Sequence, residues 1–471
     1  MKYKLEKILL RRKQMKNRYV IVLAAGQGTR MKSKLYKVMH PVMGKAMVEH
    51  VVQSAVDAEV TKVFTIIGVG SESVKDCLQE KSDYVYQKEQ LGTAHAVEQA
   101  RSFLENKEGT TLVLSGDAPL VQAETIKKLM DFHEEKEAKA TILTAIVDDP
   151  FGYGRIVRAE DGSVNKIVEE KDASPEEKKR KEINTGTYCF DNKKLFDILG
   201  KVDNNNAQGE YYLPDVIEIL KEEKEMIEAY PLEDKNESLG VNDRVALSEA
   251  QGIMQARINE KHMRNGVTIV DPRNTYIEAD VRIGQDSRIE PGSYLKGNTE
   301  LGKNVTIGPN TRIINSTIED EVKITESVIE ESIIKKAADV GPFSHLRPNT
   351  VIEDRVHIGN FVEIKNSLIH SQVAIGHHSY IGDAEIGEKT NIGAGIVFAN
   401  YDGKGKHKSF VGANSFVGSN ATLVAPVNLG EKSFVAAGST ITKDVPTAAL
   451  GIGRSRQVIK EDFHSNYFSK N

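Results

Sequence analysis

The sequence predicts two folds in succession, an α/β domain on a mostly parallel sheet and then a parallel β-helix. Two observations carry this. Up to about residue 147, short apolar runs alternate with helical patterns, which is how strands and crossover helices alternate. After Gly266 an apolar residue returns every six positions for roughly 160 residues, a period that fits neither a helix nor an ordinary strand. The 471-residue length leaves room for both folds.

Taken in order, residues 1–14 (MKYKLEKILLRRKQ) hold six basic side chains and one Glu, with no apolar run longer than Ile8-Leu9-Leu10. That is too short for a signal-peptide core, so the segment reads as a disordered extension before a start at Met15, or else as a membrane-surface helix. Residues 19–23 (YVIVL), 63–67 (VFTII), 111–114 (TLVL) and 141–147 (TILTAIV) read as buried strands, and residues 93–104 as a helix between them. Sheets of this kind bind ligands at the carboxyl ends of their strands. Leu247, Gln251, Met254 and Ile258 then step at helical spacing up to the Asn265-Gly266 stop, which makes residues 244–264 a helical linker between a domain at 15–243 and one at 265–471.

The hexad ladder runs through Ile283, Ile289, Leu295, Leu301, Ile307 and Ile313. It resumes from Ile334 to Ile364 and returns from Val411 to Ile441. Three hexads close a triangular coil, so the ladder predicts about nine coils with the apolar residue pointing inward. It breaks once, between Phe398 and Val411, where thirteen residues stand in place of six and include Asn400-Tyr401-Asp402-Gly403. An excursion from so regular a scaffold is where function is usually carried.

The composition is that of an ordinary globular protein, 39% hydrophobic and 28% charged. The net charge of -5 gives no reason to expect nucleic acid or an acidic membrane as partner. Cys77 and Cys189 lie far apart without metal-ligand spacing, which fits a reducing, cytoplasmic setting. No run approaches the roughly 18 apolar residues of a membrane span.

Two segments follow predicted strands. Residues 23–31 (LAAGQGTRM) supply small residues and main-chain N–H groups suited to a phosphate, with Arg30 and Lys37 adding charge. Met31 stands where a Walker loop or a dinucleotide fingerprint would need glycine, so neither motif is present. Asp117, in Ser115-Gly116-Asp117, suits Mg2+ held with substrate phosphates, or equally a turn cap. On the β-helix, Arg347 and Lys365 are eighteen residues apart, one coil, and so can stack as a phosphate grip or as two solvated charges. His377 and His378 interrupt the apolar pattern nearby, and an imidazole near a phosphate grip suits proton transfer.

Residues 32–50, 90–96, 151–156, 183–187 and 204–215 together resemble the sugar-nucleotide pyrophosphorylases, in particular the bacterial N-acetylglucosamine-1-phosphate uridylyltransferases. Residues 360–365, 379–387, 391–395 and 400–403 are similar to the glucosamine-1-phosphate acetyltransferase half of the same bifunctional family. The resemblance implies a Rossmann-like nucleotidyltransferase domain followed by a left-handed parallel β-helix. It implies that Leu23, Ala24, Ala25, Gly26, Arg30, Lys37, Gln87, Gly92 and Thr93 meet the uridine nucleotide, and that Gly154, Glu169 and Asn184 face the sugar. Asp117 and Asn242 would bind Mg2+. His377 would be the general base, with Arg347, Lys365, Tyr380 and Asn391 holding the sugar phosphate. Ala394, Asn400, Tyr401, Ser419, Ala437 and Arg454 would meet acetyl-CoA. UTP and acetyl-CoA are then co-substrates, and a homotrimer is expected. A single-activity pyrophosphorylase with a structural β-helix would lack the acetyl-transfer set, and a non-catalytic subunit would have lost Asp117, Asn242 or His377. Tyr36, where many relatives have Pro, and His378, usually apolar, depart from the pattern.

Overall fold

A computed structural model describes residues 17–468 apart from 69, 161 and 207, so the basic segment 1–14 lies outside the described residues. The chain forms two compact units, Met1–Met254 and Gln255–Asn471.

The first unit is built on nine strands: β1 (Arg18–Ala24), β2 (Lys62–Ile67), β3 (Asp83–Tyr86), β4 (Thr110–Ser115), β5 (Ala140–Ile146), β6 (Gly154–Arg158), β7 (Val164–Val168), β8 (Glu182–Asp191) and β9 (Ile227–Pro231). Their order is β9-β5-β8-β4-β1-β2-β3, with β6 and β7 as a hairpin leaning on β8. Alternate residues of β1 enter two cores: Val20, Val22 and Ala24 on one side, Tyr19 and Ile21 on the other. Burial on both faces explains why the strand is continuously apolar instead of alternating.

The sheet is mixed. β1, β2, β3 and β4 pair in parallel, as do β5 and β9, but β8 runs antiparallel between β4 and β5. The expected helix over 93–104 is two pieces, Thr93–Glu98 and Arg101–Leu104. Between them the Gln99 side-chain amide donates to the His95 carbonyl at 2.9 Å, taking the acceptor that a continuing helix would give to the Gln99 N–H.

The helix Arg244–Arg264 starts where Asp243 Oδ1 accepts the N–H groups of Val245 and Ala246, both at 2.9 Å. Its first half belongs to the first unit, where Gln251 Oε1 accepts from the Met43 N–H at 3.2 Å. Its second half belongs to the other unit, where Asn259 Nδ2 donates to the carbonyls of Pro272 (2.7 Å) and Thr275 (3.0 Å).

The second unit is a left-handed parallel β-helix. Its inward residues form three stacked rows, one of them Ile283, Leu301, Ile318, Ile334, Ile352, Ile369, Ile386, Val411 and Leu429. That row belongs to a nine-stranded parallel sheet, one side of the triangular coil. The apparent gap in the hexad ladder after Ile313 is filled by Ile318, Ile324 and Ile329, all buried, because some corners there use five residues instead of six. Asn304, Asn310, Asn315 and other corner residues have positive φ, and Asn tolerates that conformation. The insertion is confirmed as a loop between the strands Val397–Ala399 and Ser409–Val411.

Candidate active sites

In the first unit, the loop after β1 packs against Lys37. A Cβ on Gly28 would stand 2.3 Å from the Lys37 Cβ, and Gly28 also has a φ of 67°, so only glycine allows this approach. Lys37 Nζ ion-pairs with Asp117 Oδ2 and donates to Asn242 Oδ1 at 2.8 Å, while Arg30 donates to the same Asn242 oxygen at 2.8 Å. Asn242 reaches β4 because the Val241 N–H donates to the Asp117 carbonyl at 2.9 Å. Ser115 Oγ braces the second Asp117 oxygen at 2.7 Å.

Asp117 Oδ2 and Asn242 Oδ1 thus meet one cation, the Lys37 ammonium. Two hard oxygens converging on one point fit Mg2+, which takes one or two protein ligands and fills its remaining positions with phosphate and water. Among the described residues no group of three or more His, Cys, Asp or Glu forms a dedicated metal cage.

Two adjoining cavities, about 290 and 310 Å³, share Leu23, Thr93, Ser115 and Asp117. The first is also lined by Ala25, Gly26, Lys37, Gln87 and Gly92. The second is lined by Gly154, Glu169, Asn184 and Asn242. Ala24 points its methyl into the core and offers the site only its main chain. The segment after Gln90 is clamped by Tyr211, whose N–H donates to the Leu91 carbonyl at 2.8 Å and whose carbonyl accepts from Ala94 at 2.9 Å. Asn184 donates to the Tyr188 hydroxyl at 2.6 Å, and burial raises the carboxyl of Glu169 above its usual range. Tyr36 lays its hydroxyl against the Gly68 main chain, and burial pushes its phenol up to about 12.

A larger hollow of about 510 Å³ opens at the other ends of the strands. Four of its charged groups pair with one another, Lys139 with Asp191 at 3.1 Å and Lys193 with Glu108 at 2.8 Å, while Glu134 pairs with Arg18 outside it, and it holds none of the motif residues.

In the second unit, Leu346 stacks on Ile364 and Ile364 on Ile381, so Arg347 and Lys365 stand on adjacent coils. The insertion adds a third cation: Lys406 and then Arg347 press on the Lys365 ammonium and lower its pKa. Cations held this close favour an anion between them. Sequence reading missed Lys406, because its approach depends on how the loop folds back. The loop is tied by the Tyr401–Lys406 bridge and by Asp402, which accepts from the N–H groups of Lys404 (2.8 Å) and Gly405 (2.7 Å) and from the His407 ring. Those bonds hold the Asp402 carboxyl far below its usual range.

His377 stacks on Asn360, and its Nδ1 donates to Asn360 Oδ1 at 2.9 Å. His378 sits at a coil corner with a φ of 45°, in register with Phe361 at 58°. The short-strand rule that adjacent side chains point to opposite faces therefore does not describe this pair. Ile375, Ile392, Val417 and Val435 share one row, which puts His377, Ala394, Ser419 and Ala437 on successive coils at one register position. At about 4.8 Å per coil, this row of small side chains leads away from the histidine for three coils. Asn391 is exposed on the same turn as Ala394, Tyr401 is exposed on the loop, and Arg454 is exposed beyond the last coil. Asn400 is buried and donates to Tyr380 Oη at 3.4 Å.

The nucleotidyl transferase family model matches residues 19–243. Models for the GMPPB C-terminal domain (residues 328–402), the bacterial transferase hexapeptide of six repeats (280–315) and the hexapeptide repeat of succinyl-transferase (410–443) match the second unit. The chain is 56% identical over 443 residues to the bifunctional protein GlmU of Listeria monocytogenes serotype 4b, covering 94% of this chain and 97% of that one. It is 55% identical over 456 residues to the GlmU of Bacillus velezensis, covering 97% and 100%. With the GlmU of a Geobacillus species it shares 55% over 449 residues. With both folds and likeness along nearly its whole length, the chain belongs to the family of the bifunctional protein GlmU.

Proposed function

We propose that this chain makes UDP-N-acetylglucosamine in two steps on two sites, and so feeds peptidoglycan and other envelope polysaccharides. The observation that carries the reading is the placing of His377. Its ring is fixed by Asn360, it stands one coil on from Lys365 and two from Arg347, with the Lys406 insertion on the coil after it, and it heads the row of small residues.

In the first step the phosphate of glucosamine-1-phosphate binds the three cations, with Tyr380 and Asn391 beside it. The acetyl-CoA arm runs along Ala394, Ser419 and Ala437 toward Arg454, with Asn400 and Tyr401 at the loop. With Nδ1–H engaged by Asn360, His377 Nε2 keeps a lone pair and takes the ammonium proton, leaving a free amine to attack the thioester carbonyl. The N–C bond forms, the C–S bond breaks, and the proton the acylated nitrogen sheds goes to the departing sulfur, so CoA leaves as its thiol.

In the second step a phosphate oxygen of N-acetylglucosamine-1-phosphate attacks the α-phosphorus of UTP and pyrophosphate leaves. Gln87, Gly92 and Thr93 hold the nucleotide, and Gly154, Glu169 and Asn184 the sugar. Asp117 and Asn242 would hold Mg2+, which would neutralise charge on the phosphates. Arg30 and Lys37 add theirs, so the protein works by positioning and electrostatics.

We place the enzyme in the cytoplasm, which its two free thiols suit. No helix among the described residues is long and apolar enough to cross a membrane. We expect a homotrimer formed through the β-helix, for which the exposed stacked pairs Phe343–Phe361 and Phe416–Phe434 offer apolar surface. Light scattering tests the trimer. The function is tested by incubating the purified protein with glucosamine-1-phosphate, acetyl-CoA, UTP and Mg2+ and identifying products by mass. UDP-N-acetylglucosamine supports the reading, and uridylyl transfer without acetylation would reduce the chain to a pyrophosphorylase.

A further inference from the structure

Asn366, Asp383 and Asn400 occupy one corner position on three successive coils. Asp383 is buried, and its carboxylate accepts from Asn366 Nδ2 through Oδ1 at 2.6 Å and from Asn400 Nδ2 through Oδ2 at 2.5 Å. Its main chain is engaged as well: the N–H donates to the Lys365 carbonyl at 3.0 Å, and the carbonyl accepts from the Ser409 N–H at 3.1 Å. The insertion leaves the ladder at Asn400 and rejoins it at Ser409. One residue therefore ties down both ends of the loop and also the coil that carries Lys365. Next to it, a Cβ on Gly382 would stand 2.5 Å from both Tyr380 Oη and Asn400 Nδ2, so the tyrosine hydroxyl packs directly against this knot.

We propose that Asp383 is a positioning residue for acetyl transfer. By clamping the loop at both ends it sets Lys406 against Lys365 and Tyr380 beside them, forming the seat of the sugar phosphate. The corner positions on the two preceding coils are Asn349 and Asn366. At Asp383 both carboxylate oxygens accept, because an amide donor arrives from each neighbouring coil. The proposal rests on the acetyl-transfer reading given above.

Asp383→Ala leaves two amide donors without their acceptor and should raise the KM for glucosamine-1-phosphate about 10–100-fold. Uridylyl transfer from supplied N-acetylglucosamine-1-phosphate should stay at the parental rate, since that site lies in the other unit. Asp383→Asn can accept from one neighbour and donate to the other once that neighbour turns its amide, so it should return the KM to within about threefold of the parent. If Asp383→Ala melts below the assay temperature, Gly382→Ala decides. It keeps the carboxylate but pushes Tyr380 and Asn400 apart, and it should raise the same KM. A folded Asp383→Ala variant with parental KM overturns the proposal, as does an Asp383→Asn variant as impaired as the alanine. So does parental KM in Gly382→Ala when the alanine at 383 cannot be assayed. Acetylation by the parent in the same assay tests the underlying reading separately: a parent that acetylates while Asp383→Ala matches it removes only the role of Asp383.

Discussion

His377 and His378 are neighbours with the same side chain, but Asn360 holds only the ring of His377. Asn360 holds His377 Nδ1, which commits the other nitrogen to accept a proton. His377→Ala should therefore lower acetylation about 10²–10⁴-fold and leave uridylyl transfer near normal. His378→Ala should cost far less, and acetylation rates of both variants across pH 6–9 check this. A dead His378 variant beside an active His377 variant would move the base by one residue. Asp117→Ala should remove Mg2+-dependent UDP-sugar formation and spare acetylation. Parental UDP-sugar rates in that variant would refute the metal assignment. At this scale the motifs were legible because each lies at a strand end or a fixed coil register. Lys406, Asn360 and Tyr188 were not, because their parts depend on contacts across the fold that no local spacing announces.

The β-helix is an element with few alternatives: each coil buries its Ile, Leu or Val against the next, and the six-residue period states this directly. Where corners shorten to five residues the period blurs, which is why the ladder was lost after Ile313. The first unit was less legible. Its apolar strands announce themselves, but β8 carries no mark of its antiparallel direction, and β3 is a short edge strand. The coils also stack titratable groups, and His370 lies between Glu353 (3.1 Å) and Glu385 (3.0 Å) on neighbouring coils. Burial opposes its charge, but the hydrogen bonds to Glu385 and Glu353 prevail and raise its pKa. A raised folded pKa stabilises the fold fully below the unfolded value of about 6.5, and the gain is lost as pH rises through the folded value. Parent and His370→Gln should therefore differ more in melting temperature at pH 6 than at pH 8. An equal difference at both would remove the charge from this account.

The whole molecule joins two units, each with its own core, by one helix that gives half its length to each. Residues 15–264 alone should fold and couple UTP to N-acetylglucosamine-1-phosphate without acetylating, as assays on the purified fragment would record. An insoluble fragment would show that the first unit depends on the second. If one chain carries two complete and separable active sites, variants that each lack one site must complement each other. His377→Ala and Asp117→Ala proteins are each given glucosamine-1-phosphate, acetyl-CoA, UTP and Mg2+, separately and mixed, and the products are weighed. Neither alone should yield UDP-N-acetylglucosamine, free N-acetylglucosamine-1-phosphate should accumulate with Asp117→Ala, and the mixture should yield UDP-N-acetylglucosamine. A mixture of folded variants that yields none, or a single variant that completes both steps, would contradict it.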